Sequence, residues 1–289
     1  MIKVIASDMD GTLVRNDHRI SERTINAIKD AQKAGIRFMI STGRSFEQAL
    51  QTMEATGITC DYIVNSGAEI RNPQKEILQS GCMDRKDIRD VYDVFKEYDL
   101  LCMFVGENMD YCIGSKEEKE QRLIQHIYTF NQNMTEAEIR ETEFFHSMMD
   151  KTRAFSSFDE MEASGVKIIK MFAMSNDLEM LREIDERLQK NSNLAVASSF
   201  ENNLEITDVK AQKGIALKAY IESLGYTMDE VMVFGDSMND YSMLSMDFGA
   251  TIAMENGAKR AKEAAKYVTR SNEEDSVAYV IEELLKSMQ

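Results

Sequence analysis

The chain has 289 residues, 43% hydrophobic and 29% charged, with a formal net charge of −16. That is enough apolar material for one large domain or two modest ones. The acidity argues against a nucleic-acid partner, which would favour a basic footprint, and no apolar run approaches the roughly 20 residues that span a bilayer.

The chain opens on one Lys and a short strand before Asp8, which is no signal-peptide pattern. Cys60, Cys82, Cys102 and Cys112 form neither a CxxC pair nor a zinc spacing, so reduced thiols in a cytoplasmic protein are expected. The 21 Met are most simply core filler.

Lys3–Ser7 reads as a buried strand. It runs into Asp8-Met9-Asp10-Gly11-Thr12-Leu13, where two carboxylates stand two residues apart at a strand tip before a Gly-Thr turn. Asp and Gly also make ordinary turns, and a calcium loop needs a third acidic or Asn residue before its Gly. A strand tip of this kind can also hold a divalent metal and offer one carboxylate as a nucleophile.

Ser21 is the expected N-cap of a helix stopped at Gly35. Ile36–Ser41 is the next strand, 46–55 a helix and Tyr62–Val64 a third strand. Alternating strands and helices imply a parallel sheet with right-handed crossovers.

From about Asp84 the texture changes. A helix over 85–98 precedes two short strands, Leu101–Val105 and Asp110–Ile113, at hairpin spacing. Residues 116–158 are charged and read as mostly helical. Val166–Ala173 is a strand, 177–189 a helix, and Leu194–Ser198 with Asn203–Ile206 a second hairpin. Residues 84–208 carry a net charge of −12, against −4 for the rest. The expectation is a separate α+β insert.

The βα texture resumes with a helix from Lys213 to Leu224, a strand at Val231–Gly235, a helix at 241–246, a strand at Ala250–Met254, and helices over 258–265 and 276–288. The expected fold is α/β: a Rossmann-like parallel sheet core with an inserted α+β cap domain. The expected boundaries are 1–83 and 209–289 for the core and 84–208 for the insert. Short hinges are placed near 80–86 and 207–212.

Ligands of open α/β sheets bind beyond the carboxyl ends of the strands. Chemistry-bearing residues follow three of these strands: Asp8 and Asp10; Ser41-Thr42-Gly43-Arg44, a hydroxyl and a Gly-exposed N–H suited to phosphate oxygens; and Gly235-Asp236-Ser237-Met238-Asn239-Asp240, spaced for metal ligation. Lys213-Gly214 adds an ammonium at a helix N-terminus, where anions are favoured.

Together these four segments resemble the motifs of the haloacid-dehalogenase-like hydrolases, and most closely their Cof-type sugar-phosphatase branch. The resemblance runs over the whole chain, and the insert is similar to that branch's cap. It implies a phosphatase acting through an aspartyl-phosphate. Asp8 would be the nucleophile and Asp10 the acid/base. Mg²⁺ would be held by Asp8, the Asp10 backbone carbonyl and Asp236. Lys213, Thr42, Asn239 and the N–H groups of Gly43 and Met9 would hold the phosphate. Asp240 would orient Lys213 or a metal-bound water, and Arg44 would support the site.

The branch usually carries Asn-Gly-Ala after the third strand, where this chain has Asn65-Ser66-Gly67-Ala68. The expected substrates are small phosphomonoesters, sugar phosphates or phosphorylated cofactors, with no nucleic-acid or membrane partner. Alternatives are a phosphomutase of the same superfamily or a non-catalytic phospholigand-binding protein.

Overall fold

A computed structural model describes residues 1–107, 109–130 and 133–288. The chain divides into two compact units: Met1–Gly81, Ala197–Phe200 and Val209–Gln289 form one, Cys82–Val196 and Glu201–Asp208 the other. The stretch Ala197–Phe200, inside the span expected for the insert, groups with the first unit.

The first unit opens with β1 (Val4–Ser7), α1 (Glu22–Lys33), β2 (Arg37–Ser41), α2 (Phe46–Glu54), β3 (Asp61–Val64), β4 (Glu69–Arg71) and β5 (Ile77–Ser80). Ser21 and Ser45 cap α1 and α2 by accepting bonds from Thr24 and Gln48 N–H groups. Each cap contributes about 1 kcal/mol.

The second unit contains α3 (Arg85–Glu97), β6 (Cys102–Gly106), β7 (Asp110–Ile113), α4 (Lys116–Phe130), α5 (Glu136–Arg140), α6 (Glu143–Lys151), β8 (Thr152–Phe155), α7 (Phe158–Ala163), β9 (Ile168–Met174), α8 (Leu178–Leu188), β10 (Leu194–Ala197) and β11 (Asn203–Asp208). The chain then returns to the first unit through α9 (Lys213–Ser223), β12 (Val231–Gly235), α10 (Tyr241–Ser245), β13 (Ala250–Ala253), α11 (Lys259–Ala264), β14 (Tyr267–Val268) and α12 (Ser276–Ser287).

The first unit's sheet has the order β14-β13-β12-β1-β2-β3-β4-β5. It is parallel from β14 to β3, and β4 and β5 add an antiparallel edge. Strand residues alternate between two cores. Ile5, Phe38, Ile40 and Phe234 pack with α1, α2 and α12; Val4, Ala6, Met39 and Val233 pack with α9, α10 and α11. Helices on both faces bury the central strands completely, which is why those strands read as continuous apolar runs.

The other unit's sheet has the order β10-β11-β9-β6-β7-β8. Its main core joins Phe95, Phe104, Phe158, Met171, Ile184 and Ile206. Between its strands Lys170 and Glu205 form a buried pair at 3.0 Å.

Five short elements went unpredicted: β4, β5, β8, α7 and β14. β8 lies inside the stretch expected to be mostly helical, and only its parallel pairing with β7 makes it a strand. β5 is exposed along its whole length, so it has no apolar alternation to read. β14, two residues long, is an edge strand defined by β13.

Candidate active site

β1 lies at the centre of the sheet between β12 and β2, so Asp8 emerges at the carboxyl end beside the end of β12. The Asp8 N–H donates to Phe234 O at 3.0 Å, extending the pairing by one residue. Gly11 turns the chain with φ of +74°, and a Cβ there would fall 2.5 Å from Asp236 Oδ2. Only glycine permits both the backbone angle and the approach. Thr12 then donates its hydroxyl to Asp236 Oδ1 at 3.1 Å.

Lys213, the first residue of α9, has no exposed surface. Its ammonium donates to Asp8 Oδ1 at 2.7 Å, Asp240 Oδ1 at 2.7 Å and Asn239 Oδ1 at 2.9 Å. These bonds use all three of its protons. Burial alone would lower the Lys213 pKa, but Asp240 and Asp8 outweigh it and hold the lysine charged.

The second oxygen of Asp240 accepts N–H bonds from Asp236 and Ser237 at 2.9 and 3.0 Å. Asp240 is therefore committed to Lys213 and to the loop after β12.

Carboxylate oxygens of Asp8, Asp236 and Asp240 lie within 4.8 Å of one another. One lysine does not balance these three acids. Burial first, then the charge of Asp240, pushes Asp8 well above its ordinary carboxylate range, against the pull of Lys213. The same two causes push Asp236 up to about 7. A cluster built only of oxygens, with surplus negative charge, fits a hard divalent cation such as Mg²⁺. Since Asp240 is engaged, Asp8 and Asp236 are the side chains left to hold it.

Asp10 behaves differently. Its carboxylate takes Arg44 Nη2 on one oxygen at 2.6 Å and Nε on the other at 2.8 Å. The Met9 side chain between the two acids is fully buried in the core, so the expected contribution of Met9 to a ligand is confined to its backbone.

Thr42, also buried, accepts the Arg44 N–H on its hydroxyl at 3.2 Å. The amide of Asn239 is bonded at both its oxygen and its nitrogen. Its oxygen accepts from Lys213 and Ser237, and its nitrogen donates to Ser199 Oγ at 2.8 Å. The structure thus gathers Asp8, Lys213, Asp236, Asn239 and Asp240, and ties Asp10 to the Thr42–Arg44 loop.

The sequence reading singled out Asn65-Ser66-Gly67 as a departure from the branch's usual motif and gave them no role; Ser199 it missed. Asn65, Ser66 and Gly67 take three successive positive φ angles after β3. The Asn65 and Ser66 N–H groups donate to the carbonyls of Arg44 and Thr42 at 2.8 and 3.0 Å. Their backbone therefore braces the loop after β2. A Cβ on Gly67 would lie 2.6 Å from Gln212 C, so the start of α9 rests directly on this glycine. A Gly after a strand was the available signal. For Ser199, bonded to Asn239 from 40 residues away, there was none.

The chain belongs to the haloacid dehalogenase-like hydrolase family, whose model matches residues 5–281. It is 29% identical to phosphatase YwpJ of Bacillus subtilis, over 98% of this chain and all of that protein. It is 27% identical to the B. subtilis 5-amino-6-(5-phospho-D-ribitylamino)uracil phosphatase YcsE, over 97% of this chain and 94% of that one. A solved haloacid dehalogenase-like hydrolase from B. subtilis superposes with a TM-score of 0.81 at 27% identity, covering 97% of this chain and 99% of that chain. Among the described residues, no helix is long and apolar enough to cross a membrane.

Proposed function

We propose that the protein is a Mg²⁺-dependent phosphatase of small phosphomonoesters, acting through an aspartyl-phosphate on Asp8. The observation that carries this reading is the buried Asp8–Lys213 contact at 2.7 Å, beside an Asp236 that forms no ion pair among the described residues. Attack of a carboxylate on a phosphate dianion brings like charges together, so the site must supply positive charge.

Lys213 supplies one charge, fixed in place by Asp240 and Asn239. Asp8 and Asp236 would hold a divalent cation, which would supply the remaining positive charge. In the first step an Asp8 oxygen bonds to phosphorus and the alkoxide leaves, taking a proton from Asp10. In the second, Asp10 takes a proton from the water that attacks phosphorus, and Asp8 is released. Thr42 and the N–H groups of Met9 and Gly43 hold the phosphate oxygens. The residues of 84–208 serve as the unit that selects the leaving group.

The substrate named for YcsE is a phosphorylated ribityl compound. That supports sugar phosphates or phosphorylated cofactors as the class for this chain. The test is release of inorganic phosphate from a panel of phosphomonoesters, with and without Mg²⁺. Hydrolysis that needs Mg²⁺ and vanishes in Asp8→Asn is the expected result. Isomerised substrate without free phosphate would assign a phosphomutase instead. No turnover of any ester would leave a binding protein.

A further inference from the structure

Asp8 and Asp10 leave the same strand end, yet they are given different cations. Lys213 spends its three protons on Asp8, Asn239 and Asp240. Asp10 takes Arg44, side-on, through both oxygens. The third guanidinium nitrogen is anchored as well: Arg44 Nη1 donates to Thr52 Oγ1 at 2.8 Å. Thr52 lies on α2, two turns from its start, and the backbone of Arg44 is bonded to Thr42 and Asn65. Thr52 thus holds the guanidinium, and Thr42 and Asn65 hold the Arg44 backbone, apart from the grip on Asp10.

Such rigidity matters for a flexible acid two residues from Asp8. A divalent cation between Asp8 and Asp236 attracts any carboxylate within reach, and an Asp10 side chain bound to it would be lost as a proton carrier. The Asp10 side chain is 43% exposed, so local packing does not restrain it. We propose that Arg44 is a positioning residue which keeps the Asp10 carboxylate off the cation site and holds it turned toward the leaving group. The side-on pair occupies one edge of the carboxylate and leaves its outer edge open for proton transfer. This inference rests on the phosphatase reading above.

The test is a double-mutant cycle with Arg44→Met, Asp10→Ala and the double variant, plus Arg44→Lys and Thr52→Val, read in two ways. The first readout is Mg²⁺ affinity by calorimetry. Freed from Arg44, Asp10 becomes an extra ligand, so Arg44→Met should tighten binding by roughly fivefold or more. The same change in the Asp10→Ala background should shift it by less than about twofold, since the coupling runs through Asp10. Equal tightening in both backgrounds would mean that Arg44 acts only by its charge, and would overturn the proposal.

The second readout is hydrolysis of p-nitrophenyl phosphate against an alkyl phosphate, which needs an acid for its poor leaving group. For Arg44→Met, kcat for the leaving-group step, read in single turnovers, should fall by roughly 10- to 100-fold on the alkyl ester, with KM and the same step on p-nitrophenyl phosphate little changed. Arg44→Lys should recover part of the loss, and Thr52→Val should show a smaller loss of the same pattern. A rise in KM for both esters without the kcat split would make Arg44 a phosphate ligand and overturn the proposal. If the wild type hydrolyses neither these esters nor the wider panel, the phosphatase reading falls and takes this one with it. Hydrolysis without the split sinks this one alone.

Discussion

Two buried clusters of acid and base sit at opposite ends of the same sheet, and they are built to opposite rules. At the amino end of β3, Asp61 is completely buried and takes Arg37 Nε and Nη2 at 2.6 Å each and the Tyr220 hydroxyl at 2.6 Å. One carboxylate meets one guanidinium and one neutral donor, and the bond to Asp61 raises the Arg37 pKa further. At the carboxyl end, Asp8, Asp236 and Asp240 share Lys213. α9 serves both, with Lys213 at its start and Tyr220 near its end. The balanced cluster stabilises the fold. The unbalanced one strains it, and the strain has the sign that a bound cation would relieve.

The most severe test of this contrast is at Asp8. Asp8→Asn should lower phosphate release by about 10⁴-fold or more, while the urea midpoint measured without metal stays the same or rises. A lower midpoint would mean that Asp8 belongs to the stabilising kind of cluster.

At the balanced end, Asp61→Ala leaves Arg37 without its partner. It should cost about 4 kcal/mol in urea unfolding, with kcat of the folded enzyme unchanged. A loss of kcat at full folding would break the division between the two ends.

The third test concerns sign. The folded-state pKa of Asp236, about 7, lies above its ordinary value of 3.8. The folded protein therefore binds more protons than the unfolded chain between these values. Without metal, stability should fall as pH rises from about 4 to about 7, by an amount on the order of 3 kcal/mol. Thermal melts in chelator should show this slope, and Asp236→Asn should flatten it. Mg²⁺ at 100 times its Kd should return about 2.7 kcal/mol at pH 8, in the wild type and not in Asp236→Asn. An unchanged slope in the variant would place the strain elsewhere.

The smallest effect expected is at Tyr220→Phe, which removes one donor from Asp61. It should cost about 1.5 kcal/mol, with no change in KM or kcat. Any change in Lys213-dependent turnover would show that α9 couples the two ends.

What could be read from the chain follows from range. Asp8, Asp236, the Thr42 loop and Lys213 each stand at the end of a strand or the start of a helix, and strand ends of a parallel sheet converge by rule. The βα order and the apolar runs of β1, β2 and β12 made that sheet legible. The partners were not legible. Nothing local pairs Asp10 with Arg44 or Asp61 with Tyr220, since such choices depend on which side chains tertiary packing brings within 3 Å. Asn65 and Ser66 looked like an altered motif, and their backbone geometry, set by three residues with positive φ, is what braces the site. β5 and β14 escaped notice because an exposed or very short strand carries no hydrophobic period, and β8 because only its pairing with β7 sets it apart from the helices around it.

The contact between Asp8 and Lys213 spans 205 residues. During synthesis at about 5–20 residues per second, the lysine follows the aspartate by about 10 to 40 s. Through that interval β1 also lacks its neighbour β12, which forms later still, and presents an open edge. On the ribosome, then, the centre of the sheet is among the last parts of the first unit to be finished. The nascent chain must shelter an unpaired acid until Lys213 emerges and an unpaired strand until β12 emerges.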